Sequence, residues 1–134
     1  MYNVKDFFIH ALSVLNSNLV EIFKPKKSVV TNFIPTNANT DTTIYSYTFT
    51  KETLVNANTR ILVDGLGDSK LYNCSIYHNT NRLNETQYRT SGDARNVTSF
   101  SILEKFNVGD TLTVKCYTDV AASAKVVIWS NYID

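Results

Sequence analysis

Hydrophobic residues recur with a helical period near the start of the chain and with a period of two over the later part. At about 100° per residue, Val4, Phe8, Ala11, Leu12, Leu15, Leu19, Ile22 and Phe23 gather on one side, opposite Asp6, His10, Ser13, Ser17 and Glu21. The spacing predicts an amphipathic helix within residues 1–24. Asn3 is placed to cap it, Asp6 suits its positive end, and Lys24, Lys26 and Lys27 suit its negative end around the stop at Pro25. A 3-4 spacing through Phe8, Leu12, Leu15, Leu19 and Ile22 makes these the candidate oligomerising or anchoring positions, and its Leu and Ile choices favour three or four strands. The stripe is too short to hold an oligomer alone, and a second one through Val4, Phe7, Ala11 and Val14 widens the apolar face. The alternative is a helix folded back on its own β-domain.

Residues 25–43 read as a linker, with Pro35, the polar run Asn37 to Thr40 and an apolar island at Val29, Val30, Phe33 and Ile34. From there the period changes to two. Ile44 to Phe49, Thr59 to Val63, Leu71 to His78, Ser99 to Leu103, Thr111 to Tyr117 and Lys125 to Tyr132 read as strands. Turn chemistry separates them at Asp64 to Asp68, Asn79 to Asn81, Ser91 to Asp93 and Asn107 to Asp110. The pattern predicts a mainly β protein, an antiparallel sandwich over residues 44–134 preceded by one α-helix.

Charge removes one class of partner. Thirteen Lys and Arg face twelve Asp and Glu, a formal net charge of +1, so no broad basic field awaits a nucleic-acid backbone. The start of the chain superficially resembles a signal peptide, but Asp6 and His10 interrupt it and no small-residue cleavage site follows; no stretch predicts a membrane span. The sequons at Asn73, Asn84 and Asn96 are therefore read as chance products of an Asn- and Thr-rich chain.

Cys74 and Cys116 share the parity of their apolar neighbours and are expected in the core as reduced thiols, with a bridge between neighbouring strands as the alternative. Two cysteines make no metal site, and neither a metal nor another cofactor is expected. His10 and His78 lie far apart in sequence, no serine sits in a nucleophile elbow, and no Gly-rich loop leads from strand to helix, so no enzyme is expected. Asp64 and Asp68 bracket a Gly-containing loop that lacks the length of an EF-hand and reads as a solvated turn. The segment His78 to Asn96 reads as loop-rich; its Arg82, Asn84, Tyr88 and Arg89 carry the chemistry of a sugar contact and are the candidate ligand residues.

The run Phe100 to Tyr117, with Gly109-Asp110 between two strands, followed by Ala124 to Trp129, resembles the last strands of jelly-roll heads of the tumour necrosis factor and complement globular-head type. Gly109 suits a positive φ and the Asp110 carboxylate can accept from nearby amides. Such heads also tip bacteriophage fibres and decorations, as trimers behind a stem. The resemblance implies subunit contacts by aromatics, here Tyr45, Tyr47, Phe49 and Trp129. It implies a homotrimeric phage virion protein, a head fibre, decoration or receptor-binding tip made in the host cytoplasm. Its partners would be capsid or tail proteins and a host-surface glycan. A secreted cytokine-like or complement-like ligand and a monomeric carbohydrate-binding module are the alternatives.

Overall fold

The computed structural model describes residues 4–22, 27–92 and 95–130, and side chains over 4–15, 29–92 and 95–128. Helix α1 spans Val4–Ile22. Among the described residues nine strands follow: β1 Lys27–Val30, β2 Ile34–Thr36, β3 Thr40–Thr48, β4 Thr53–Asp64, β5 Leu71–His78, β6 Asn81–Arg89, β7 Asn96–Phe106, β8 Thr111–Thr118 and β9 Ala122–Ser130. The proposed cap Asn3 and the stop at Lys24-Pro25 lie outside the described residues.

The strands form two antiparallel sheets. One runs β1-β9-β4-β7, with β2 also on β9; the other runs β3-β8-β5-β6. If β1 and β2 count as one broken strand, the sheets join strands 1-8-3-6 and 2-7-4-5 of eight. That is the winding of a jelly roll, in which a long hairpin is folded over itself so that neighbours in a sheet are distant in sequence.

The segment read as a linker belongs to this sandwich. β1, β2 and the first residues of β3 fall inside 25–43, with Val29 opposite Ile128 and Ile34 opposite Ala124. Strands of four and three residues, separated by residues 31–33, are too short to establish a visible period. Two cations stand over the Phe33 ring, Arg95 at 5.1 Å and Lys125 at 5.0 Å from its centre.

The core lies between the sheets. Along β4, Val55, Ala57, Thr59, Ile61 and Val63 point inward while alternate residues face water. Facing them from the other sheet are Tyr72, Cys74 and Ile76 of β5 and Leu112, Val114 and Cys116 of β8. The alternation is the direct outcome of a pleated strand with one face dry. A register shift between Thr43 and Tyr45 inserts Ile44 as an extra residue, so Ile44 is buried and Tyr45 and Tyr47 beyond it also turn inward. Burial, with Tyr47 adding to it, pushes the Tyr45 hydroxyl up to about 12.

The strand register also sorts the two ends of the sandwich. Lys27 pairs with Ser130, so the chain arriving from α1 enters beside the β3–β4 and β7–β8 connections. The β2–β3, β4–β5, β6–β7 and β8–β9 connections lie at the opposite end. At that far end the loops are stapled: Arg95 pairs with Asp64 at 3.0 Å, Gly92 N donates to Asp68 Oδ1 at 2.7 Å, and Leu71 N donates to Asp119 Oδ2 at 2.8 Å. Asp64 and Asp68 thus act as loop acceptors.

Candidate functional site

Among the described residues several places combine exposure with chemistry. The first is α1, whose side chains from residue 4 to 15 are all exposed. Phe8, Leu12 and Leu15 retain 59%, 63% and 56% of their accessible surface, and Val4, Phe7 and Val14 extend the same broad apolar arc. The helix therefore does not lay this face on its own sandwich. Leu19 and Ile22 continue the stripe in sequence, but their side chains lie outside those described. Among the described residues no helix is long and apolar enough to cross a membrane.

The second is the outer face of the β3-β8-β5-β6 sheet, which carries a depression of about 300 Å³. Buried Ser75 forms part of its floor. Tyr117 and Tyr77 stand on neighbouring strands, while Asn73, Arg82, Glu85 and Gln87 supply hydrogen-bonding groups from β5 and β6 and Asp41 does so from β3. The charges in this patch are largely balanced. Arg82 pairs with Glu85 at 2.6 Å, Asn73 Nδ2 donates to Glu85 Oε1 at 2.6 Å, and the Lys115 ammonium stands 5.0 Å from the Tyr77 ring centre. Balanced charge beside aromatic faces and planar amides suits a neutral, hydroxyl-rich ligand better than an ion.

The candidate ligand residues are divided by this geometry. The segment His78 to Asn96 is not a loop, because Asn81–Arg89 forms edge strand β6. Arg82 lies in the depression. Asn84 and Tyr88 pair with Ile76 and Tyr72 and so belong to the inward parity of the edge, where Tyr88 packs on Tyr72 at 5.7 Å between ring centres. Arg89 donates to Ser69 O at 2.9 Å at the far end.

The third place is a cluster at the end where α1 joins. His78 Nε2 meets Asp110 Oδ2 at 2.7 Å and His78 Nδ1 meets Glu104 Oε1 at 2.9 Å, while the ring packs 4.3 Å from that of Phe106. Asp110 also accepts from Asn107 N at 2.9 Å and Asn79 Nδ2 at 3.1 Å. These donors, the Asn107 amide foremost, hold the Asp110 carboxyl down at about 2. Burial works to lower His78, but the two carboxylates outweigh it and raise its pKa above the ordinary imidazole value. With both ring nitrogens engaged, His78 acts as a clamp joining β5, β7 and the β7–β8 turn. Gly109 has φ of 88°, so the Gly-Asp turn adopts the conformation and acceptor role expected from sequence. The clamp itself was not legible, because its members are 26 and 32 residues apart. Among the described residues no group of three or more His, Cys, Asp or Glu is arranged to hold a metal ion.

The aromatic contact candidates also separate. Phe49 is a core residue, 3% exposed and stacked on Phe106 at 4.4 Å, which removes it from any subunit surface. Tyr45 and Tyr47 are half-buried on the inner side of edge strand β3. Trp129 pairs through its backbone with Ser28 and Asn58, and its side chain lies outside those described.

No protein-family model matches the chain, and no curated protein matches it. Among solved structures the chain is similar to one in the structure of infectious bursal disease virus Gx strain, with 8% identity and a TM-score of 0.51. The match covers 78% of this chain and 32% of that one, so this chain spans under a third of its neighbour's length. At this identity the likeness is one of fold.

Proposed function

We propose that the protein is a structural component of a virion, a bacteriophage head fibre, decoration or attachment tip in which α1 assembles or anchors the chain and the jelly roll is displayed. The broad apolar face of α1, left uncovered by its own sandwich, carries this reading, and the fold likeness to a chain of a virus structure supports the setting. The face is wider than a two-stranded seam, which favours three copies around one axis. A trimer would present three identical heads, so weak contacts act together through effective concentration rather than through new bonds. The function is binding and assembly, without catalysis.

The energetic case comes from the exposed fractions. Covering the remaining surface of Phe8, Leu12 and Leu15 stabilises by roughly 3 to 5 kcal/mol per protomer, taking about 1.5 to 3 kcal/mol for full burial of each. Light scattering coupled to size exclusion on the full chain is expected to give a trimer, and L12D together with L15D a folded monomer. A wild-type monomer, or a double variant of unchanged mass, refutes helix-driven self-assembly; a wild-type monomer captured by capsid or tail protein would instead make α1 an anchor.

A second contact is favoured by the outer-sheet depression. Its paired charges and two tyrosines suit a host-surface glycan. Tyr117→Ala and Arg82→Ala are expected to lose glycan-array binding with an unchanged circular-dichroism spectrum. Array binding equal to wild type in both retires the glycan contact.

A further inference from the structure

Cys74 and Cys116 face each other across the β5–β8 ladder. The hydrogen-bond phase of that ladder is fixed at both ends: Asp119 N donates to Leu71 O at 3.0 Å, and Asn79 N donates to Thr111 O at 2.8 Å. Both pairs have the same register as Cys74 and Cys116, and bonded pairs alternate with non-bonded ones along an antiparallel ladder. Odd positions of β5 are therefore bonded, and Cys74 with Cys116 occupies a non-hydrogen-bonded site. At such sites the Cα atoms approach to about 4.5 Å and the side chains are at their closest. Disulfides span roughly 4.4 to 6.8 Å between Cα atoms, so this pair falls within the allowed range, at its short limit.

Both thiols are free and fully buried, each 0% exposed. The Cys116 thiol donates to Tyr117 O at 3.9 Å, and Thr98 packs beside the pair with its hydroxyl donating to Tyr72 Oη at 3.5 Å. We propose that Cys74 and Cys116 form a reversible dithiol–disulfide site, oxidised by a small uncharged peroxide to a bond that pins β5 to β8. One thiolate attacks a peroxide oxygen, the O–O bond breaks, and the sulfur becomes a sulfenic acid. The second thiol displaces the sulfenic oxygen as water. The two thiols lose two electrons and two protons, and hydrogen peroxide is reduced to two waters.

The environment sets how the site behaves. The adjacent Cys116 thiol and then burial push the Cys74 thiol well up, so little thiolate exists in the folded chain near neutral pH and oxidation is slow. The short Cα approach strains the product and makes it easier to reduce than an unstrained structural disulfide. The latch lies beneath the outer-sheet depression, because Ser75 on its floor follows Cys74 in β5. This inference rests on the ladder and stands independently of the virion reading.

The test is to expose the folded full chain to hydrogen peroxide at pH 7 and pH 9, then denature it, count thiols and map peptides by mass without reduction. Both thiols are expected to disappear together, faster at pH 9, giving a peptide pair that joins Cys74 to Cys116 within one chain. C74A and C116A, each checked for fold by circular dichroism, are expected to give no intrachain product. An interchain link, higher oxidation of a single cysteine, or thiols that survive in the folded chain under conditions that oxidise the urea-unfolded chain overturns the site. The oxidised chain is expected to return to the dithiol in glutathione buffer at a cytosolic ratio; persistence of the bond there overturns its reversibility.

Discussion

Replacing Phe106 with Ala tests the end of the sandwich where the helix joins. Phe106 closes β7, has no exposed surface, stacks on Phe49 with ring centres 4.4 Å apart and planes 19° apart, and carries the His78 ring at 4.3 Å. Deleting a buried Phe side chain costs about 3 to 5 kcal/mol, of which an aromatic pair contributes about 0.5 to 1.5 kcal/mol beyond the area it buries. Two ring partners are lost together here, which places the expected cost near 4 kcal/mol. Domains are commonly stable by about 5 to 15 kcal/mol, so the variant remains folded only if the wild type is not at the bottom of that range. With a urea slope of about 2 kcal/mol/M, the denaturation midpoint followed by circular dichroism is expected to fall by about 2 M. A cycle with Phe49→Ala isolates the stack: the double variant should lose about 1 kcal/mol less than the sum of the singles. A midpoint change under about 0.5 M, or strict additivity in the cycle, would refute the stacked, dry packing of this end.

The His78 clamp predicts opposite pH limits. The raised His78 pKa stabilises the fold fully below the unfolded value of about 6.5, and that contribution is lost as pH rises through the folded value. The Asp110 pKa, lowered to about 2, stabilises above the unfolded carboxylate value, and that contribution is lost as pH falls through the folded one. Thermal midpoints measured from pH 2 to 9 should therefore be highest between the two limits, and His78→Gln should flatten the alkaline fall; an unchanged alkaline limb in the variant contradicts the clamp. Among the described residues Thr59 Oγ1 is buried without a hydrogen-bond partner, so Thr59→Val should stabilise by about 1 kcal/mol in urea denaturation, and a loss of stability would contradict that assignment.

The sequence exposed those parts of the fold whose structure is repetitive. β4, β7 and β8 alternate cleanly because one face is dry, and both cysteines occupy the buried positions their parity implied. Three things escaped a periodic reading. β1 and β2 are too short to show a period, and β6 is exposed over most of its length, so it presents polar residues on both sides. The bulge at Ile44 breaks the parity of β3 and turns both Ile44 and the tyrosines inward. Of the candidate site, the apolar helix stripe was visible because it is local. The depression and the clamp were not, because each is assembled from strands joined by the jelly-roll winding, which places residues such as Asp41 and Gln87 on one face.

The separation of the two ends divides the chain for mutational purposes. Residues arriving from α1, the His78 clamp and the Phe49–Phe106 stack share one pole, whereas four of the inter-strand connections share the other. Sequence drift, insertions or grafted peptides in the distant connections would leave the joining pole's packing intact, provided that the Asp64–Arg95 and Asp68–Gly92 fastenings are kept. The two poles are thus independent: one holds the packing where the helix joins, and the other holds connections that tolerate change without disturbing it.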